Sequence, residues 1–297
     1  MDSIRRVRPR AKRTLAGTVP VLLAVVALLA ACSSAASPTP AVPASPTGPV
    51  GSPSPAPAGP VAEPAELTVY GAASLKDALA ALEAAYETAH PEIRLTISTD
   101  SSAALATKIT EGAPADVFLS ADTANPQKLV DGGYASGEPI VFAGNKLTVI
   151  VPEGNPDGIA TPADLAKPGL KIIAAGDEVP VSRYAWKLVA NLAELYPAGF
   201  AVRYATSVVS KEDSVKGIVA KIEIGEGDAG IVYVTDAAAS SRVETVAVPD
   251  AANVAATYAG VVVKASARQE AARAFLDWVA GPDGQAILAG FGFLPPP

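Results

Sequence analysis

Short apolar runs alternate with longer segments of helical period through most of this 297-residue chain, and that alternation constrains the fold more than any other feature. Residues 67–70 read as a strand running into Gly71-Ala-Ala-Ser74. Leu75, Leu79, Leu82 and Tyr86 then recur at helical spacing, and His90-Pro91 closes that helix. Further strands are expected at 93–98, 116–120, 147–151, 171–174, 229–234 and 258–263. Helices are expected beyond Ser102, near Val181 and near Ser214, with a closing pair bearing Phe275, Trp278, Val279, Ile287 and Leu288. Strands separated by helical crossovers form βαβ units, so the expected class is α/β with mostly parallel sheets. No internal sequence repeat is visible.

The first 65 residues do not share this pattern. Arg5, Arg6, Arg8, Arg10, Lys12 and Arg13 precede an uncharged run from Thr14 to Ala31, the layout of a secretory signal. The run ends in Leu29-Ala30-Ala31-Cys32, which resembles the lipobox of bacterial lipoproteins. The expectation is a signal peptide over 1–31 and acylation of Cys32, the sole cysteine, anchoring the chain on the outer face of the cytoplasmic membrane. Losing the leader's six basic residues and Asp2 takes the net charge from −7 to −12. Residues 32–65, rich in Pro, Ser and Ala, cannot bury a core and read as an extended tether.

Composition excludes several classes. One Cys allows no internal disulfide or paired-thiol metal site, and one His allows no His-pair zinc site. An acidic chain with 18% charged residues lacks the clustered Lys and Arg that neutralise nucleic-acid phosphates. There is no Gly-x-Ser-x-Gly elbow, and His90 is the only possible imidazole, so no enzyme is expected. No cofactor is expected either.

Small or hydroxyl residues stand where strands hand over to helices: Ser74, Ser102, Val181-Ser182 and Asp213-Ser214. In open α/β sheets ligands bind at these turns, and helix N-termini offer unpaired N–H groups to anions. None of the turns has P-loop spacing. Taken singly, each serine reads as a plain N-cap, and Ser74 with Asp77 matches a capping box. His90 reads as a surface or capping residue, and Arg183 as a solvated helix residue rather than a counter-charge. Glu212-Asp213 reads as helix N-terminal charge, and Phe275 with Trp278 as core. Asp116 and Asp122 flank a strand end without the oxygen-ligand density of a calcium loop.

Six segments occur together in one order: Gly71-Ala-Ala-Ser-Leu75, Asp100-Ser-Ser-Ala-Ala-Leu105, the run from Gly112 to Asp122, Gly176-Asp-Glu-Val-Pro-Val181, Gly230-Ile-Val-Tyr-Val-Thr-Asp236, and Gly281-Pro-Asp-Gly-Gln285 with Gly290-Phe-Gly-Phe293. This set resembles the molybdate-binding proteins that feed ABC importers, over about Glu66 to Phe293. The resemblance implies a two-lobe periplasmic-binding-protein type II fold with the oxyanion in the cleft between lobes. It implies lobe 1 at 66–143 plus 264–297, and lobe 2 at 144–263. Carried over by position, the contacts are the hydroxyls of Ser74, Ser102 and Tyr233 and the backbone N–H groups of Val181 and Val215. The molybdenum is held as its oxyanion, with no direct protein–metal bond. Ala103 stands where the family commonly has Gly, and Val181-Ser182 where it has Ala-Gly. By the same resemblance the partners are an ABC permease and, through Cys32, the membrane, with the protein a monomer. Tungstate, nearly isosteric, is expected to bind as well. The alternatives are sulfate, thiosulfate or phosphate in the same binding class, or a sensory lipoprotein without transport.

Overall fold

The computed structural model describes residues 65–297. The signal segment, Cys32 and all of the tether but its last residue lie outside the described residues. That last residue, Ala65, opens the first strand.

Two five-stranded sheets carry the fold. The first is built from β1 (Ala65–Ala72), β2 (Ile93–Asp100), β3 (Val117–Ser120), β4 (Ile140–Asn145) and β10 (Ala256–Val262), in the order β2-β1-β3-β10-β4. Its helices are α1 (Lys76–Ala89), α2 (Ser102–Thr110), α3 (Ala124–Asp131), α8 (Gln269–Ala280) and α9 (Pro282–Gly290). The second contains β5 (Leu147–Pro152), β6 (Ile172–Ala175), β7 (Val208–Glu212), β8 (Ala229–Tyr233) and β9 (Val243–Val246), in the order β7-β6-β8-β5-β9. It is joined by α4 (Pro180–Leu195), α5 (Phe200–Ser207), α6 (Val215–Glu223) and the short α7 (Val234–Ala238).

Both sheets have one plan. Three strands run parallel, a fourth (β10 or β5) opposes them, and the edge strand beyond opposes that one again. Four strands in each sheet therefore point the same way, as βαβ units require. The chain passes from one sheet to the other at Lys146 and returns between β9 and β10. The sequence reading assigned 144–263 to the second lobe, but β10 pairs with β3 and β4 of the first sheet. Apolar periodicity marks a strand without naming its neighbours.

Burial follows the expected patterns. β3 and β8 are buried along their whole length, as central strands covered on both faces should be. α1 turns Leu79, Leu82 and Tyr86 inward, and the Tyr86 ring meets Phe275 and Trp278 edge-on at 4.9 and 5.1 Å between centroids. Each fully buried leucine contributes roughly 1.5–3 kcal/mol. At Gly71 a Cβ would collide with the Leu79 side chain, so the close approach of β1 to α1 needs glycine there.

Several elements escape the sequence reading. α3 carries Pro126 in its first turn, where no N–H is required, yet a proline lowers any helical expectation. β7, Val208-Val-Ser-Lys-Glu212, alternates half-buried and exposed residues at a sheet edge and has only two apolar residues to announce it.

Candidate functional site

The parallel strands of each sheet end on a common cavity. From the first sheet, β1 delivers Ala72, Ala73 and Ser74, β2 delivers Ser101 and Ser102, and β3 delivers Ala121. From the second, the turn after β6 delivers Val179, Pro180 and Val181, the turn after β7 delivers Val215, and β8 ends in Tyr233. These residues line a cavity of about 10 Å³. Drug-sized organic ligands need pockets of roughly 300–1,000 Å³, so the space is far too small for one. Ser74, Ser102, Val181, Val215 and Tyr233, the five positions singled out in the sequence, all lie on it.

Each hydroxyl has a distinct environment. Ser102 accepts the N–H of Ala121 at 3.0 Å, which leaves its own hydrogen free. The N-cap of α2 is instead Ser101, whose Oγ accepts from the N–H of Ala104 at 3.3 Å. Ser74 does not form the expected capping box: it sits in the 3-10 turn Ala73–Leu75, and the N-cap of α1 is Leu75. Its Oγ lies 3.0 Å from the Tyr258 hydroxyl, while Asp77 faces Lys216 at 3.2 Å. Tyr233 is 1% exposed, and its hydroxyl has no hydrogen-bond partner. A buried phenol without a partner costs about 1–3 kcal/mol, so this one points to a missing acceptor. Burial, first, and then the nearby Tyr258 hold its acidity well below normal, so it remains a neutral donor.

The backbone donors come from helix starts. α4 opens Val179-Pro180-Val181 with no side-chain cap, and no turn or cap hydrogen bond among the described residues uses the Val181 N–H. At α6 the Ser214 hydroxyl accepts from Gly217, leaving the Val215 N–H likewise unclaimed. First-turn N–H groups have no intrahelical acceptor, and both helix dipoles point their positive ends at the cavity. Ser182 turns away and donates to the Ala175 carbonyl at 3.3 Å. No carboxylate, Lys or Arg is among the lining residues. The cavity therefore presents neutral hydrogen-bond donors.

The other candidates are structural. Asp116 holds the Thr68 N–H and the Ser266 hydroxyl. Asp122 accepts from Ser120, from the Asn125 backbone and side chain, and from Arg183, leaving no oxygen free for a cation. Arg183 is thus not merely solvated: its guanidinium reaches Asp122 at 2.9 Å from the opposite sheet's helix. Glu212 ends β7 and pairs with Lys221, rather than charging a helix N-terminus. His90 caps the C-terminus of α1 and lies on the Tyr86 ring. Phe275 is buried and Trp278 packs against the same core.

Residues 67–294 match the family model described as bacterial extracellular solute-binding protein. The chain belongs to that family. Among its relatives, the molybdate-binding protein ModA of Mycobacterium tuberculosis H37Rv is 34% identical over 246 residues, covering 82% of this chain and 90% of the relative. ModA of Haemophilus influenzae is 31% identical over 239 residues, 77% of this chain and 90% of the relative. In three dimensions the periplasmic molybdate-binding protein of Azotobacter vinelandii superposes with a TM-score of 0.66 at 25% identity, over 78% of this chain and all of that one. As a member of the extracellular solute-binding family the protein is an extracytoplasmic solute receptor, not an enzyme. The two-sheet α/β architecture is that of the periplasmic binding proteins.

Proposed function

We propose that this protein captures molybdate, and tungstate with it, and hands it to an ABC permease. One observation carries the reading. Four hydroxyl residues, Ser74, Ser101, Ser102 and Tyr233, and the first turns of α4 and α6 line a cavity of about 10 Å³ that holds no carboxylate. Molybdate near neutral pH is a fully deprotonated dianion that accepts hydrogen bonds and donates none. A shell of neutral donors satisfies it without burying a counter-charge. Ser74, Ser102 and Tyr233 serve through their hydroxyls, and Val181 and Val215 through their backbone. The net −12 of the processed chain does not oppose this, because fixed dipoles act at contact range while distant carboxylates are screened within about 10 Å.

The ligand lies where the two sheets' layers face each other, so each layer is a lobe and closure over the anion gives the permease a shape to read. With β10 assigned to the first sheet, lobe 2 spans 146–255 and lobe 1 takes the remainder of 66–297. Acylation of Cys32 would hold the receptor, as a monomer, near its permease on a leash formed by 33–65. Calorimetric titration with molybdate, tungstate, sulfate and phosphate tests the reading. One-to-one binding of the first two with the others silent is the expected result. Sulfate or phosphate binding more tightly than molybdate would overturn the ligand assignment.

A further inference from the structure

Tyr258, on β10, is absent from the cavity lining, yet its hydroxyl stands directly behind a residue that lines it. Its oxygen lies 3.0 Å from Ser74 Oγ, and by distance alone either could donate. The groups upstream remove that ambiguity. The Lys146 N–H, which can only donate, bonds Asn145 Oδ1 at 2.9 Å. That orients the amide, so Asn145 Nδ2 faces Thr235 Oγ1 at 2.9 Å and the Tyr258 hydroxyl oxygen at 3.5 Å. The Tyr258 oxygen thus has a donor in Asn145, which leaves its own single hydrogen available to Ser74. Chemistry agrees, because a phenol is the stronger donor and an aliphatic hydroxyl the better acceptor. Asn145, Tyr258 and Ser74 are all buried, so bulk water does not compete for these positions. Burial, the largest influence, pushes the Tyr258 phenol well above its ordinary pKa, so the hydrogen stays in place.

We infer that Tyr258 is a positioning residue that biases Ser74 to donate toward the bound anion, and thereby helps the site reject oxyanions that carry a proton. The inference rests on the oxyanion reading above. With Ser74 Oγ accepting from Tyr258, its remaining hydrogen is the one presented to the cavity. Ser102 reaches the same condition by a different route, since its Oγ accepts from the Ala121 N–H at 3.0 Å. Hydrogenphosphate entering such a site would set its own O–H against the hydrogens that Ser74 and Ser102 present. A buried polar group left unpaired in this way is where discrimination arises.

Tyr258→Phe keeps the ring, which packs edge-on against Phe293 at 5.4 Å and near Phe142 and Tyr233, and removes only the directing hydroxyl. Ser74 is then free to rotate and accept. Calorimetry of the wild type, Tyr258→Phe, Ser74→Ala and the double variant, with molybdate and phosphate near pH 7, separates the roles. Expected are an approximately tenfold loss of molybdate affinity in Tyr258→Phe and a narrowed molybdate-to-phosphate ratio. The loss should vanish when the same change is made on the Ser74→Ala background. An unchanged ratio, or an equal loss with and without the Ser74 hydroxyl, overturns the inference while leaving molybdate capture intact. A wild type that binds no oxyanion overturns both. Should Tyr258→Phe unfold, Asn145→Ala acts one step upstream without touching the ring, and the same narrowing or its absence decides.

Discussion

Arg183 on α4 places its guanidinium 2.9 Å from Asp122 in the turn after β3, joining the two sheets' layers beside the cavity. Asp122 is almost fully buried there while Arg183 is half exposed, so the pair is only partly screened. Asp122 keeps Ser120 and Asn125 as partners if the arginine is removed. Arg183→Ala is therefore expected to fold normally and to weaken molybdate binding about threefold, on the order of 0.5–1 kcal/mol. Titration at low and high ionic strength checks the cause: the gap between variant and wild type should shrink as salt rises.

The unpartnered Tyr233 hydroxyl makes opposite predictions for the free and the loaded protein. Tyr233→Phe deletes a buried donor that nothing in the protein satisfies, so the ligand-free protein should be as stable as the wild type or more so, by about 1 kcal/mol. Molybdate affinity should fall by roughly ten- to a hundredfold, since a charged acceptor loses a donor worth about 1.5–3 kcal/mol. Thermal unfolding with and without ligand reads both. Lower stability of the ligand-free variant would show that the hydroxyl has a structural partner instead.

Asp236 on α7 is buried, with neither carboxylate oxygen in hydrogen-bond geometry, although Lys216 Nζ lies 3.3 Å from Oδ1. The same ammonium reaches Asp77 of the facing layer at 3.2 Å. Burial outweighs the lysine and raises the Asp236 pKa to about 6. The folded protein then holds this proton more tightly than the unfolded chain does. The stabilisation from its protonated form is complete below about pH 4 and is lost as pH rises through about 6. Asp236→Asn should abolish that part of the slope. Denaturant unfolding of both proteins from pH 4 to 7 tests it, and a difference constant across the range would refute it.

Gly71 carries a steric prediction. A methyl group there meets the buried Leu79 side chain, at the end of the strand that delivers Ser74. Gly71→Ala should cost about 1–3 kcal/mol and lower the melting temperature by several degrees. Adding Leu79→Val should recover part of that loss. No recovery would place the strain elsewhere.

The central strands were legible in the sequence because they are short, apolar and bounded by turn residues, as at Val117–Ser120 and Ala229–Tyr233. Five of the residues that line the cavity, Ser74, Ser102, Val181, Val215 and Tyr233, were legible because they sit at turns whose order along the chain matches a known pattern. Tyr258, Asn145 and the Arg183–Asp122 pair were not. Their partners lie 184, 113 and 61 positions away or across a sheet boundary, and nothing local distinguishes a buried strand tyrosine from one that directs a serine. The capping box expected at Ser74 failed for the same reason: local pattern favoured a cap, and a distant hydroxyl won the side chain.

By itself the sequence determined the α/β class and the strand-to-helix turns that bear small and hydroxyl residues, because periodicity and turn chemistry are local properties. Tertiary structure decided which sheet β10 joins, that two sets of three parallel strands aim at one cavity, and which way each hydroxyl points. Those outcomes depend on pairing between segments far apart in the chain, where packing and hydrogen-bond satisfaction across the whole core choose among arrangements that local sequence leaves equally open.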